Sequence, residues 1–106
     1  MNNLLYTYNI DTTEDMMERL AKNLRKRRLE KKISREALSK LSNIPTATIA
    51  KFEQKFTISL SSFVALAKAL GYTQELKQLL SEPLFSSMAE LDMINQNQNR
   101  KRGSSK

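Results

Sequence analysis

At 106 residues the chain has room for one compact domain and a tail. It contains no cysteine and no histidine, which excludes a disulfide scaffold and thiolate metal sites and removes the commonest metal ligand and acid/base group. A net charge of +7 in a chain that is 40% hydrophobic points to a polyanionic partner for a folded protein.

These features argue against an enzyme, and no catalytic residue, metal or cofactor is expected. Two glycines and two prolines, with abundant Leu, Ala, Lys, Glu and Ser, favour an all-α fold because few residues break a helix. No apolar run approaches the roughly 20 residues needed to span a bilayer, and MNNLLYTYNID lacks the basic start and apolar core of a signal peptide. A cytoplasmic, nucleoid-associated protein without membrane contact is the expectation. The charge is also segregated. Residues 1–18 carry four acids and no base, whereas residues 19–55 carry twelve bases against Glu30, Glu36 and Glu53, a net +9.

Along the chain, an arm over 1–12 precedes a helical domain over 13–82, an extension over 83–95 and a tail over 96–106. The alternation in LLYTYNI would suit a short strand or an arm pairing across a dimer. Asp11, Thr12 and Thr13 offer N-caps for the first helix, with acids in the next turn where the helix dipole favours them. Met17, Leu20, Ala21 and Leu24 form its apolar stripe. Ser34 caps a second helix with Leu38 and Leu41 inward. Residues 42–44 make a tight turn before Pro45, which suits the first turn of a third helix with Ile49 and Phe52 inward. Ser59 caps a fourth, with Leu60, Phe63, Val64, Ala67 and Leu70 inward and Gly71 as its C′ residue. Thr73 starts a fifth, with Leu76, Leu79 and Leu80. Beyond Pro83, Ser87 and Glu90 have the spacing of a capping box for a short extra helix containing Met88, Leu91 and Ile94. The tail QNQNRKRGSSK has no apolar residue, cannot offset its ordering entropy by burial, and is expected to be disordered.

At about 100° per residue, Arg28 falls in the centre of the face formed by Met17, Ala21 and Leu24. A buried, unpaired arginine is costly, so Arg28 needs a carboxylate on another inward face, and Glu53, beside Ile49 on the third helix, is the candidate. The alternative is Arg28 snorkelling to solvent from the helix end. The outward face of the third helix, in contrast, shows Thr46, Ala47, Ala50 and Lys51. Short residues at a helix start let the backbone approach base edges in a DNA major groove about 12 Å wide. Thr46 can bond a base edge or phosphate, Ala47 can touch a thymine methyl, and Lys51 can reach guanine or a phosphate. The basic cluster LRKRRLEKK adds candidate phosphate contacts through Lys22, Arg25, Lys26 and Arg27.

The run from Leu24 to about Leu80 resembles the helix-turn-helix domain of the Cro/CI (XRE) repressor superfamily, with Ser34, Leu38, Ser39, Ile44, Thr48, Ile49 and Glu53 at its pattern positions. The resemblance implies a five-helix Cro/CI-repressor-like DNA-binding domain and an Arg28–Glu53 ion pair. It also implies base contacts from Arg35, Thr46, Ala47 and Lys51, with Thr48, Lys55, Lys26, Arg25 and Ser34 at backbone phosphates. The family's usual Gln, Gly and Gly are replaced here by Arg35, Asn43 and Lys55. Asn visits the left-handed conformation more readily than most residues. Arg35 is better suited to grip a phosphate than to reproduce a glutamine–adenine contact. LAKNLRKRR, ATIAKFE and SLSSFVALAKALGY are most similar to HipB-type regulators of hip toxin-antitoxin modules. That likeness implies a homodimer on an inverted-repeat operator, autorepression, and a complex with a HipA-type kinase toxin, with or without a further small antitoxin subunit. The alternatives are a phage-type Cro/CI repressor or general XRE regulator with no toxin partner, and a helical scaffold that binds no DNA.

Overall fold

The computed structural model describes residues 11–104, with side-chain surroundings to residue 99. Most of the arm predicted over 1–12, and residues 105 and 106 of the tail, lie outside the described residues. Six helices follow in order: α1 Thr13–Glu30, α2 Arg35–Ser42, α3 Thr46–Lys55, α4 Leu60–Ala69, α5 Thr73–Gln78 and α6 Met88–Ser104. The described residues contain no strand, and none of their helices is long and apolar enough to cross a membrane. The chain divides into two compact units, Met1–Leu76 and Lys77–Lys106.

Local chemistry sets the helix ends of the first unit. Of the three candidate caps of α1, Thr12 acts: its Oγ1 accepts from the Asp15 N–H at 3.0 Å, and the Asp15 carboxylate accepts from the Thr12 N–H at 3.3 Å. Ser34 Oγ accepts from the Ala37 N–H at 3.0 Å, and Ser59 Oγ from the Ser62 N–H at 3.1 Å. After α4, Gly71 takes φ +98°, and the N–H groups of Gly71 and Tyr72 bond the carbonyls of Lys68 and Ala67 at 2.9 and 3.0 Å. Lys32 does the same work after α1 at φ 57° without a glycine's freedom.

The core joins Ala21 and Leu24 of α1, Leu38 of α2, Ile49 and Phe52 of α3, and Leu66 and Leu70 from α4 and its cap. Phe52 and Phe63 meet edge to face, with centroids 5.8 Å apart at 77°. Helix α3 packs against both α1 and α2, and α2 also packs against α4. Inward assignments in α2 and α4 and one omission need correction, and Leu20 of the α1 stripe is itself 38% exposed. Leu41 is 64% exposed and Leu60 77% exposed, while Leu66, absent from the predicted stripe, is fully buried. Spacing specifies a face of a helix but not how far along it the neighbouring helices reach, and both Leu41 and Leu60 sit in terminal turns. Helix α5 is also shorter than the leucine pattern suggested: it stops at Gln78, and Leu79 and Leu80 are exposed, Leu80 at φ 63°.

In the second unit, Ser87 Oγ accepts from the Glu90 N–H at 3.1 Å, one half of the predicted box. The other half closes one residue earlier: Ser86 donates its backbone N–H and its hydroxyl to Glu90 Oε1 at 2.6 and 3.0 Å. The backbone bond first and the hydroxyl second hold the Glu90 carboxyl below its ordinary value. Helix α6 then continues to Ser104, past residue 95, where the extra helix was predicted to end and a disordered tail to begin. Gln, Lys and Arg there have good intrinsic helix propensity, which the burial argument ignored.

Candidate nucleic-acid interface

The eight residues of α2 and the ten of α3 are joined by a short turn held by several hydrogen bonds. Asn43 occupies the left-handed region at φ 62°, and its N–H reaches the Ser39 carbonyl at 2.8 Å. Ser42 Oγ donates to the Leu38 carbonyl at 2.7 Å and accepts from the Ile44 N–H at 3.2 Å. Pro45, at φ −59°, stands at the N-cap and not inside the helix as predicted; Thr46 opens α3. Proline has no side-chain oxygen, so α3 has no side-chain cap. The Pro45 carbonyl accepts from Thr48 and Ile49, at 2.9 and 3.2 Å. The N–H groups of Thr46 and Ala47 have no partner among the described residues.

A buried charge cluster links α1, α2 and α3 towards the ends of α2 and α3 away from this turn. Arg28 and Glu53 are only 6% and 7% exposed. Arg28 donates from Nε to Glu53 Oε2 at 2.8 Å, from Nη2 to Oε1 at 3.0 Å, and from Nη1 to the Ile33 carbonyl at 2.9 Å. This is a two-point fork between α1 and α3, with the third donor anchoring the loop before α2. Arg35, the first residue of α2, also donates from Nε to Glu53 Oε1 at 3.0 Å, and Arg25 Nε lies 4.0 Å from the same oxygen. Burial pushes the Glu53 carboxyl up, but hydrogen bonds from Arg28 and Arg35 and their charges outweigh it and hold the group below its ordinary value. The Glu53 hydrogen bond raises Arg28 above its ordinary value against the effect of burial.

Above the cluster, an open depression of about 640 Å³ is lined by Arg25, Arg28, Ser34, Arg35, Glu36, Thr46, Ala47 and Ala50. Thr46, Ala47, Arg35, Arg25 and Ser34 of the candidate DNA-contacting set therefore share one surface, although the Ser34 hydroxyl already caps α2. Lys51 is exposed one turn after Ala47, on the same side of α3. Thr48 is half-buried in the first turn of α3, and Lys55 is exposed in its last, about 13 Å along the axis from Thr46. Lys26 is not in this group. It lines a separate depression along α1 with Asp15, Glu18, Arg19, Lys22 and Asn23. Two other members of the basic cluster are tied to acids on their own helix, Lys22 to Glu18 and Arg27 to Glu30, each at 2.7 Å.

The sequence reading missed the link from Arg35 to Glu53 and the place of Glu36 on the depression wall, while Ala50 lies there with Thr46 and Ala47 as its outward position implied. One signal for the first was available: a carboxylate has room for more than one guanidinium, and three arginines lay near the faces in question. Among the described residues no group of three or more His, Cys, Asp or Glu is placed to hold a metal ion.

Two helices joined by this short turn, the second starting on small, at least partly exposed residues beside a cationic depression, define a helix-turn-helix domain. Residues 24–75 match the family described as Helix-turn-helix, a span that holds α2, the turn and α3. Residues 24–75 thus form a helix-turn-helix domain of Cro/CI (XRE) type, a domain found in DNA-binding transcription regulators. No curated protein and no solved structure matches the chain.

Proposed function

We propose that the protein is a homodimeric, sequence-specific transcriptional repressor that inserts α3 of each subunit into the major groove. Short residues at the start of α3 beside a wall of arginines are the observation that carries this reading. Thr46, Ala47, Lys51 and Arg35 face base edges, while Arg25, Thr48, Lys55 and Ser34 meet flanking phosphates. The unpartnered N–H groups of Thr46 and Ala47 suit a phosphate or a base acceptor at the helix start. Lys26, on a different part of α1, contributes to the general positive field and not to the docked surface. Two-fold symmetry calls for an inverted-repeat operator with half-sites one helical turn apart, roughly 34 to 36 Å. The finer reading is a HipB-type regulator that represses its own operon and binds a HipA-type kinase toxin. It is supported by the sequence phrases in α1, α3 and α4 alone.

The test is binding to a duplex from the protein's own promoter and to a scrambled duplex, each at several salt concentrations. A preference of about a thousandfold or more for the promoter, with a steep salt slope, is expected. Lys51→Ala and Ala47→Glu should reduce that preference without changing the melting curve. Equal binding to both duplexes by the unaltered protein would refute the reading. Mixing with a purified HipA-type kinase tests the finer one, which fails if no complex forms.

A further inference from the structure

The carboxylate that closes the core also holds one of the arginines on the depression wall. Glu53 Oε1 accepts from Arg28 Nη2 and from Arg35 Nε, each at 3.0 Å. Arg28 is spent on this pair and on the Ile33 carbonyl. Arg35 differs: its side chain is 30% exposed, and its two terminal nitrogens have no hydrogen-bond partner among the described residues and are not buried. It stands on the wall that also carries Thr46, Ala47 and Ala50.

We infer that Glu53 is a positioning residue for DNA readout: by holding Arg35 at Nε it presents the Nη1 and Nη2 pair, end-on, to the N7 and O6 acceptors of a guanine in each half-site. The inference rests on the reading of α3 as the base-facing helix. Its chemistry is specific. With Nε engaged, the side-on fork of Nε and Nη is closed, leaving two parallel donors. Guanine offers two adjacent acceptors in the major groove, whereas adenine offers one acceptor and one donor. Arg35 opens onto the short residues that bring the backbone towards base edges, which favours a base over a flanking phosphate. A guanidinium already anchored also loses less rotamer freedom on binding than a free one. Lysine cannot replace it, because an ammonium has neither the Nε anchor nor the planar fork.

The experiment is selection of duplexes from a random pool with the full chain, unaltered and carrying Arg35→Lys. The unaltered protein should enrich an inverted repeat with a fixed guanine in each half-site. Arg35→Lys should enrich the same repeat with that position relaxed and bind the original sequence about 5- to 150-fold more weakly. Replacing the guanine by 7-deazaguanine should weaken the unaltered protein and leave Arg35→Ala unaffected. The same consensus from both proteins would overturn the inference, as would a loss with Arg35→Lys that is equal on selected and scrambled duplexes, the mark of a phosphate contact. No consensus from the unaltered protein would instead remove the repressor reading, and this inference with it.

Glu53 itself is tested by a double-mutant cycle below the melting temperature. Glu53→Gln should weaken binding to the selected duplex, and lose that effect in the Arg35→Ala background. Independent, multiplying losses would assign Glu53 a structural role only. Should Glu53→Gln not fold, the Arg35→Lys selection still decides whether the fork is read.

Discussion

Replacing Glu53 by alanine should be among the most damaging single changes available to this domain. It leaves Arg28, 6% exposed, with only the Ile33 carbonyl as partner, and breaking a buried pair from one side costs about 3 to 5 kcal/mol. The unit Met1–Leu76, at its size, has about 4 to 11 kcal/mol of stability in total. The loss is thus a large part of the whole, and at about 4 to 8 °C per kcal/mol the melting temperature should fall by roughly 12 to 40 °C. Arg35 also loses its partner but reaches water and adds little. Circular dichroism melts of the full chain measure the effect. A fall of less than about 4 °C would show Arg28 to be solvated and would refute the reasoning. Pairing Arg28→Met with Glu53→Leu separates the abandoned charge from the value of the pair, since an apolar replacement removes both ions. The double variant should recover most of the loss, apart from about 1 to 3 kcal/mol for the Ile33 carbonyl left without its donor.

Glu53 also predicts acid sensitivity: its carboxyl titrates below the ordinary value of 4.5 when folded, so the stability it contributes is complete above that value and is lost as pH falls through the lower, folded one. Urea midpoints at about pH 7, 4.5 and 3 should show this, with a smaller acid loss in Glu53→Gln. Leu66→Ala should cost about 2 to 5 kcal/mol, whereas Leu60→Ala, at an exposed helix start, should stay within about 0.5 kcal/mol, by denaturant unfolding. Lys32→Gly should stabilise the domain by up to about 1 kcal/mol, because the left-handed backbone at φ 57° strains any residue with a Cβ, part of the gain being offset by the freer unfolded chain. Gly71→Ala should do the reverse by about 1 to 2 kcal/mol through backbone strain alone, since an added Cβ meets nothing within 4 Å.

What could be read before the structure was whatever depends on neighbours along the chain. Thr12, Ser34 and Ser59 cap because a hydroxyl or carboxylate within three residues reaches free N–H groups. Asn43 marks the turn because of its tolerance for positive φ. A helical wheel was enough to put Arg28 on an apolar face and Glu53 on the inward side of α3, and the structure has the two hydrogen-bonded. What could not be read depends on how far the elements overlap in space. Leu41 and Leu60 satisfy the spacing of core residues, yet no neighbour covers them enough to bury them. Arg35 lies 18 residues from Glu53 in sequence, and only the crossing of α2 over α3 brings its Nε to the shared oxygen. Leu79 and Leu80 looked like a helix face, but α5 ends before them.

The stitched turn between α2 and α3 sets up a contrast in amide hydrogen exchange. The N–H groups of Asn43, Ile44, Thr48 and Ile49 are each donated to a named oxygen, so their exchange must wait for the turn to open. Thr46 and Ala47, between them, donate to nothing among the described residues and face the depression. Two fast-exchanging amides framed by four slow ones form a built-in reporter. Slowing of that pair alone on adding a duplex would locate contact at the first turn of α3, whereas slowing across the whole turn would mean that binding had tightened the domain.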